Sequence, residues 1–377
     1  MTHLKAFALF ASTLLGFAIT AAAQSYSIVD LGNLGSFPTR AFGLSNNGGI
    51  AGYSYLADTT TYRGFYSANG SSMSDLGSLG GILSTANALN DLGQVAGSAN
   101  FDSSVFFHAF LSGANGGALV DLGTLGGSGS HGTGVNATGQ VSGYSDTTGN
   151  TATHAFLSAT NGGSLKDLGT LGGLSSFGEA VNASGQVAGY SNYTSSNSNS
   201  HAFLSDPNGG ALHDLGTLGG AVSFGLGVNN SGQVVGRATT ASGAIHAFYS
   251  GANGGALHDM GTLGGAFSAG YGINSFGESV GYSFLSDNST QQAFLFTITD
   301  GILNLNSLIS PGSGWSLTDA RAVNDSGQIV GFGTFDGQVH AYLLDPIAIP
   351  EPQSVCLIIL GLLALGTTQL RRRRALL

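Results

Sequence analysis

The chain is poor in cysteine and in charged residues. Its single cysteine among 377 residues, Cys356, lies in a C-terminal apolar run, and only 8% of the residues are charged. The rest of the chain therefore has no disulfide and no thiolate nucleophile, and its composition permits an oxidising compartment without requiring one.

Basic residues are scarcest between residues 24 and 346. Five remain there (Arg40, Arg63, Lys166, Arg237 and Arg321), against 19 acidic residues. Because a protein binds phosphate backbones through clustered Lys and Arg that release counterions, we expect no nucleic acid as a partner.

Recognisable catalytic and metal-binding motifs are also missing. The sequence shows no Ser-His-Asp order, HExxH, phosphate-binding glycine loop, cysteine pair or DxDxDG calcium loop. Glu179 and Glu278 are the only glutamates between residues 24 and 346, and neither has a second marked carboxylate beside it. The sequence therefore predicts no metal, no cofactor and no enzymatic activity, although a polysaccharide-active enzyme stays open as the alternative.

Glycine, by contrast, is abundant, and the chain repeats itself. There are 63 glycines alongside many Val, Phe, Leu and Tyr, a combination that predicts short strands and tight turns rather than disorder. An Asp-Leu-Gly motif recurs every 45 to 47 residues, with Asn304 in the seventh place. Its aspartates are Asp30, Asp75, Asp121, Asp167, Asp214 and Asp259. An aromatic residue keeps step with the motif at Phe65, Phe110, Phe156, Phe203, Phe248, Phe294 and Tyr342. Such a period indicates a repeat architecture with seven units.

Each repeat unit reads as four strands. In the fourth, the runs EAVN, GQVAGYS, HAFLS and ALHDLG are separated by Asn-Gly hairpin turns, NASG at 182–185 and NGG at 208–210. Four antiparallel strands per period predict an all-β fold, a seven-bladed β-propeller of four-stranded blades. The last unit, 319–346, has only three strands, so we expect the strand at 25–32 to complete that blade and close the ring.

The recurring Asp and His residues suggest architecture rather than catalysis. We expect each Asp to cap backbone N–H groups where an outer strand leaves its sheet. We also expect a structural role for the recurring histidines at 108, 154, 201, 246 and 340. Gln292 and Gly64 take their place in the other two units. No complete ring of metal ligands is therefore expected.

Both ends read as processing segments. Residues 1–23 have a basic start, an apolar middle and a small-residue exit, which predicts a signal peptide cleaved between Ala23 and Gln24, an uncleaved anchor being the alternative. The tail, 347–377, contains Pro350-Glu351-Pro352, an apolar run of about 16 residues that is short for a bilayer span, and an arginine cluster, Arg371, Arg372, Arg373 and Arg374.

Two family resemblances follow from these motifs. The HAF triplets at 108–110, 154–156, 201–203 and 246–248, with DLGTLGG, resemble the HAF family of bacterial extracellular repeats across about residues 24–346. The tail resembles a PEP-CTERM sorting signal, which exosortases process in Gram-negative bacteria that produce extracellular polysaccharide; Ile349, where Val is usual, is the one departure. The resemblance implies secretion machinery and exosortase as partners, transient anchoring in the inner membrane through the C-terminal helix, and delivery to the cell surface or extracellular matrix. A plain tail anchor is the alternative.

The leading functional hypothesis is a monomeric, non-enzymatic scaffold or a module that binds polysaccharide or protein. A purely adhesive filler without a saturable ligand is a further alternative. Loops entering the first strands and joining the second to the third strands vary between units, so we expect a ligand on that face. The candidate ligand-binding residues are Trp315, Tyr271, Tyr193 and His131. Three of these candidates, His131, Tyr271 and Trp315, are expected in the crossover loops, together with Phe177, Phe224 and Phe267. For the phenylalanines, wedging between neighbouring blades is the competing interpretation, and for Trp315 the alternative is a role in the core.

Overall fold

The structure of the protein, a computed structural model, describes residues 25–101, 105–194 and 199–347. Residues Ser25–Ile347 form one compact unit. The predicted signal peptide with Ala23 and Gln24 lies outside the described residues. So do Pro350, Glu351, Pro352 and Arg371 to Arg374 of the predicted sorting tail.

The described part of the chain consists of short strands and five single-turn 3₁₀ helices. The N-terminal strand is β1 (Tyr26–Asp30). The strands of the first three repeat units are β2 (Ser36–Leu44), β3 (Ile50–Tyr55), β4 (Tyr62–Ser67), β5 (Ser74–Asp75), β6 (Ser84–Leu89), β7 (Val95–Asn100), β8 (Phe107–Ser112), β9 (Leu119–Asp121), β10 (Gly126–Val135), β11 (Val141–Thr147), β12 (Thr153–Ser158) and β13 (Leu165–Asp167). Those that follow are β14 (Ser176–Val181), β15 (Val187–Asn192), β16 (Ser200–Ser205), β17 (Leu212–Asp214), β18 (Gly219–Val228), β19 (Val234–Thr240), β20 (Ile245–Ser250), β21 (Leu257–Gly261), β22 (Gly264–Ile273), β23 (Ser279–Leu285), β24 (Gln291–Thr297), β25 (Gly301–Asn304), β26 (Ser316–Val323), β27 (Ile329–Phe335) and β28 (Gln338–Pro346). The 3₁₀ turns are Ala114–Gly116, Thr148–Asn150, Thr160–Gly162, Ala252–Gly254 and Leu305–Ser307.

Strands pair antiparallel and in chain order within each repeat unit. The fourth unit gives the sheet β14-β15-β16-β17, and the units before it repeat this pattern. The fifth and sixth units are joined into one eight-stranded sheet by a single parallel pairing of Ile245 with Phe267. The fold is therefore all-β and built from four-stranded antiparallel sheets. Within the described ranges, no helix is both long and apolar enough to cross a membrane.

The N-terminal strand belongs to the last sheet. β1 runs antiparallel to β28, with Tyr26 opposite Pro346 and Asp30 opposite Tyr342. The Tyr26 N–H also donates to the Leu308 carbonyl over 2.8 Å, and only 2% of the Tyr26 surface is exposed. The pairing predicted for this strand is confirmed, and it gives the sheet β1-β28-β27-β26 its outer strand.

The recurring aromatic residue is the core of each repeat unit. Each of these third-strand rings is fully buried: Phe65, Phe110, Phe156, Phe203, Phe248, Phe294 and Tyr342. Phe203, for example, packs in one cluster with Ala155 and Leu157 of the preceding unit and with Val187 of its own. The periodic aromatic mark in the sequence therefore corresponds to one large buried side chain per unit.

The recurring Asp caps the outer strand, as its position predicts. Asp167 Oδ1 accepts from the Gly169 N–H over 2.7 Å, and Asp30, Asp75, Asp121, Asp214 and Asp259 do the same for the glycine two residues later. The same carboxylate also meets the histidine of the HAF triplet, 2.8 Å from His154 Nδ1. This His–Asp pair, which the sequence reading did not anticipate, recurs in five units and joins the third strand to the fourth.

The turn asparagines link neighbouring units. Asn136 Nδ2 donates to the Asn182 carbonyl over 3.1 Å, and Asn182 makes the same bond to Asn229. The series continues through Asn274 to Asn324, whose amide donates to the carbonyl of Ser45 in the first unit over 3.0 Å. The Asn-Gly turns therefore do more than reverse the chain, because their side chains also tie each unit to the next.

Candidate functional site: a cavity lined by the first strands

Every first strand contains a one-residue β-bulge at the same place. In the fourth unit Gly178 pairs with Gly189 and Ala180 with Ala188, which leaves Glu179 between them without a partner in the ladder. The unpaired residues of the successive units are Phe42, Asn87, Thr133, Glu179, Leu226, Tyr271 and Arg321. Because a bulge redirects a side chain relative to the strand alternation, these seven residues form an equivalent set, the bulge set.

The bulge set lines a cavity of about 500 Å³, the first-strand cavity. All first strands contribute, each through its bulge residue and the two residues that follow. A smaller space of about 280 Å³ is lined by the turn residues, including Asn136, Asn182 and Asn229. The first strand of each repeat unit is thus the strand that lines the larger cavity.

The bulge set is chemically varied where the repeat is otherwise constant. Each bulge residue is flanked on both sides by Gly or Ala, yet the seven bulge residues are all different and range from Leu to Glu and Arg. A fold that tolerates any of these side chains at one position does not depend on their chemistry. The position is therefore free to serve a ligand, in keeping with the general location of function on variable parts of a rigid scaffold.

Rings from neighbouring units form a continuous aromatic belt beside the cavity. Tyr144 stacks on His131 with centroids 4.9 Å apart, and Phe177 lies between Tyr144 at 5.1 Å and Tyr190 at 4.9 Å. Tyr190 then contacts Phe224 at 4.9 Å. Phe177 and Phe224 thus bridge successive units, which supports the wedge interpretation for both. Burial raises the pKa of Tyr144 to about 12, so its hydroxyl stays protonated and able to donate.

Three arginines continue the belt through the fifth, seventh and first units. Arg237 lies over Phe224, 4.8 Å from its centroid, and Arg321 over Tyr271 at 3.9 Å. Arg40 lies 4.7 Å from the Phe332 centroid. These are cation–π contacts, in which the ring faces hold the guanidinium groups without consuming their in-plane N–H donors.

The two carboxyl groups near the cavity differ in their surroundings. Asp319 is 2% exposed and paired with Arg321, Oδ1 to Nε 2.8 Å; burial raises its pKa to about 6, against the opposing effect of Arg321. Glu179 faces the cavity and has no hydrogen-bond partner among the described residues. Burial by the surrounding protein raises the pKa of Glu179 to about 7, and the nearby Arg237 only partly offsets this. Glu179 is therefore a carboxyl group whose charge changes near neutral pH.

Replacing Glu179 with Gln should stabilise the protein above pH 7. The pKa of Glu179 is raised in the folded state, so stability due to its neutral form is present below the unfolded value of 4.5 and is lost as pH rises through about 7. One pKa unit corresponds to about 1.4 kcal/mol, and cavity water screens the charge, so we expect E179Q to gain about 1–3 kcal/mol at pH 8 and nothing at pH 4. Urea unfolding at both pH values measures this difference.

Glu278→Gln is the matched control for that experiment. Its carboxylate accepts a hydrogen bond from Asn274 Nδ2 over 2.6 Å, so its replacement should give no gain at pH 8. Equal stability of E179Q and the unmodified protein at pH 8 would contradict the proposed burial of the Glu179 charge.

The four candidate ligand-binding residues occupy separate environments. Tyr271 is in the bulge set, and His131 contacts the cavity-lining Tyr144 and hydrogen-bonds Ser98 Oγ over 3.0 Å. The Tyr193 ring is tilted against the His201 ring, with centroids 4.0 Å apart, and residues 195–198, which follow shortly in the chain, lie outside the described residues. Trp315 stacks on Phe335 at 5.0 Å and packs against the core of the last unit, which favours the packing interpretation for it.

The predicted location of the aromatic residues in crossover loops was wrong for five of six. His131 lies in β10, Phe177 in β14, Phe224 in β18, and both Phe267 and Tyr271 in β22; only Trp315 precedes its strand. Several first strands begin earlier in the chain than predicted, within the glycine-rich segment. In the third unit, for example, β10 still pairs with β11 at Gly126 and Thr147, on the far side of a register shift. Glycine abundance had suggested a loop there.

Sequence reasoning missed Glu179, Arg321 and the other charged residues as members of one site. The sequence does contain a signal for this site. When the repeat units are aligned, one position varies strongly, and it lies two residues before the Val, Ile or Leu that precedes each Asn-Gly turn or its equivalent. Groups of three or more His, Cys, Asp or Glu able to hold a metal ion are not found within the described ranges.

Comparison with known proteins finds similarity in fold only. No family model and no curated protein matches the chain. Among solved structures, a prolyl endopeptidase from a study of two such enzymes is 11% identical, with a TM-score of 0.50 over 86% of this chain and 51% of that one. TolB from Acinetobacter baumannii is 13% identical, with a TM-score of 0.43 over 69% of this chain and 65% of its own. A putative TolB from Agrobacterium tumefaciens is 12% identical, with a TM-score of 0.46 over 87% and 100%. The chain thus spans about half of the endopeptidase, and its similarity to that structure indicates a β-propeller-like fold.

Proposed function

We propose that the protein is an exported, seven-bladed β-propeller that binds a saccharide in the first-strand cavity and does not act as an enzyme. The propeller is supported by the four-stranded sheets and by the pairing of β1 with β28. The Asn324–Ser45 bond between the last and first units supports a closed ring. Export through the secretion machinery and sorting by exosortase rest on the signal-peptide and PEP-CTERM patterns of the sequence.

The observation that carries the binding role is the bulge set. A purely structural position would repeat its residue type in every unit, as the buried aromatic does, yet the bulge position carries seven different side chains around one cavity. The cavity wall combines an aromatic face, that of Tyr271, with hydroxyl and amide groups such as those of Thr133 and Asn87. A sugar ring is likewise partly apolar and partly hydrogen-bonding, so the two surfaces are complementary.

Retention on the polysaccharide of the producing cells tests this proposal. The exported protein should be retained saturably and should release no new reducing ends. Tyr271→Ala should weaken retention about tenfold, because it removes a cavity-lining ring, while the melting temperature reports its effect on folding. Affinity electrophoresis and a reducing-sugar assay measure the two outcomes.

Tyr193→Ala and Trp315→Ala are the comparison variants, since neither side chain lines the cavity. Loss of retention in either of them, with Tyr271→Ala unchanged, would place the ligand on the varied loop face instead. Retention that does not saturate would favour an adhesive filler.

One observation favours the enzymatic alternative. A carboxyl group with a pKa of about 7 in a cavity has the properties of a general acid, and Glu179 has them. The other buried carboxylate, that of Asp319, is committed to Arg321 and is not free as a second catalytic group. New reducing ends released by the unmodified protein, and absent with E179Q, would establish a glycoside hydrolase.

A further inference from the structure

Basic residues are few between residues 24 and 346 of this acidic protein, and most of them lie in the aromatic belt beside the first-strand cavity. Three of the five basic residues between residues 24 and 346 belong to the aromatic belt: Arg40, Arg237 and Arg321. The carboxyl groups beside them are Glu179 and Asp319, and Asp319 is paired with Arg321. Of the three arginines, Arg321 lines the cavity itself, and Arg40 and Arg237 lie in the belt beside it.

Two of these guanidinium groups have unused hydrogen-bonding capacity. Within the described ranges, neither Arg40 nor Arg237 forms a hydrogen bond or an ion pair with another residue, and the Arg40 Nε is buried without an acceptor. An unsatisfied buried donor costs free energy, so such groups in a folded protein call for a partner.

The aromatic rings hold the guanidinium groups in place and leave their N–H donors free. Arg237 lies between Phe224 at 4.8 Å and Phe267 at 5.9 Å, and the Phe332 ring lies 4.7 Å from Arg40 and 5.4 Å from Arg321. A guanidinium group that lies over a ring keeps its in-plane N–H donors available. Two of these donors match the spacing of the two oxygens of a carboxylate. An aromatic wall alone suits a neutral sugar, whereas a wall that also carries guanidinium groups suits an anionic one.

We propose that the first-strand cavity and the aromatic belt beside it bind an acidic saccharide, in which the carboxylate of a uronic-acid-type sugar is held by Arg237 with help from Arg40 and Arg321, while the sugar ring packs on the neighbouring aromatic side chains. This inference rests on the proposed binding function and specifies its ligand class. Arg237 is the central member because it lies over Phe224 and beside Phe267 without a hydrogen bond or ion pair to any described residue, whereas Arg321 is paired with Asp319.

Titration calorimetry of the full chain with three probes tests the ligand class. The probes are an oligogalacturonate, the same oligosaccharide with its carboxyl groups reduced to alcohols, and a sulfated galactan oligosaccharide of equal length. We expect the oligogalacturonate to bind at least about tenfold more tightly than the reduced form, because only the oligogalacturonate has carboxylate oxygens that can accept hydrogen bonds from the guanidinium groups. Arg237→Gln should abolish that preference, and Arg237→Lys should restore part of it through charge alone.

Arg63→Gln is the matched control. Arg63 is another arginine of the body without a hydrogen-bond acceptor for its Nε, but it lies on β4 and takes no part in the aromatic belt. Its replacement should leave the affinity for oligogalacturonate unchanged.

The outcomes separate this inference from the binding function itself. Equal binding of the oligogalacturonate and its reduced form would overturn the acidic ligand and leave saccharide binding standing. Equal or tighter binding of the sulfated probe would overturn the assignment of a carboxylate. Binding of no saccharide at all would overturn both the ligand class and the proposed function. An unchanged preference in a correctly folded Arg237→Gln variant would overturn the role of the arginines.

Discussion

Tyr26→Ala should reduce the free energy of unfolding by about 3–5 kcal/mol, the loss typical of truncating a large buried aromatic side chain. Tyr26 is the first residue of β1, is 2% exposed and packs in one cluster with Leu305, Leu317 and Tyr342. Its removal loosens the strand that completes the last sheet and exposes the edge of β28. Urea unfolding of the variant, followed by circular dichroism, gives the loss directly.

Val29→Ala is the control in the same strand. Val29 is 38% exposed, so its truncation should cost less than about 1 kcal/mol while the β1–β28 hydrogen bonds remain. Similar small losses in both variants would show that the N-terminal strand adds little to stability, and the proposed closure of the ring by β1 would then fail.

Gly189→Ala should destabilise the protein by about 3 kcal/mol or more. A Cβ at Gly189 would overlap the Phe177 carbonyl oxygen and come within 2.8 Å of the Phe203 ring, and the overlapped atom belongs to the backbone of the paired strand. Overpacking against a backbone that cannot move aside costs more than overpacking against a flexible side chain. The equivalent glycine of each unit meets a similar first-strand carbonyl, which explains why this position is glycine in all seven.

Gly113→Ala is the comparison for that substitution. Gly113 has an ordinary φ of −61°, and the nearest atom to an added Cβ is 3.4 Å away. Alanine is compatible with this backbone, so the change should be neutral or stabilise by up to about 1 kcal/mol. If Gly189→Ala were as well tolerated as Gly113→Ala, the close packing of the first and second strands would be refuted.

Local features of the fold were readable from the sequence because they depend on residues close together in the chain. The Asn182–Gly185 turn and the capping bond from the Gly169 N–H to Asp167 each follow from chemistry within one repeat unit, and the burial of Phe203 follows from its large apolar ring. Repetition reinforced these signals, since an accidental pattern does not recur at a constant spacing.

The point at which each first strand begins was harder to predict from the sequence. Phe177 and Phe224 were assigned to loops because glycines precede them, whereas the pairing of those strands with their partners is decided by hydrogen bonding across the sheet. Glycine is compatible with both states, so composition alone does not choose between them.

The sequence by itself determined the repeat period, the four strands per unit, the turn chemistry and the scarcity of basic residues. Only the tertiary structure decided which residues form a site. Glu179, Tyr271 and Arg321 lie in different repeat units and come together around one cavity because successive units pack side by side. The bulge that presents them shifts the alternation of each strand by one residue, and it arises from pairing between strands rather than from the preference of any single residue.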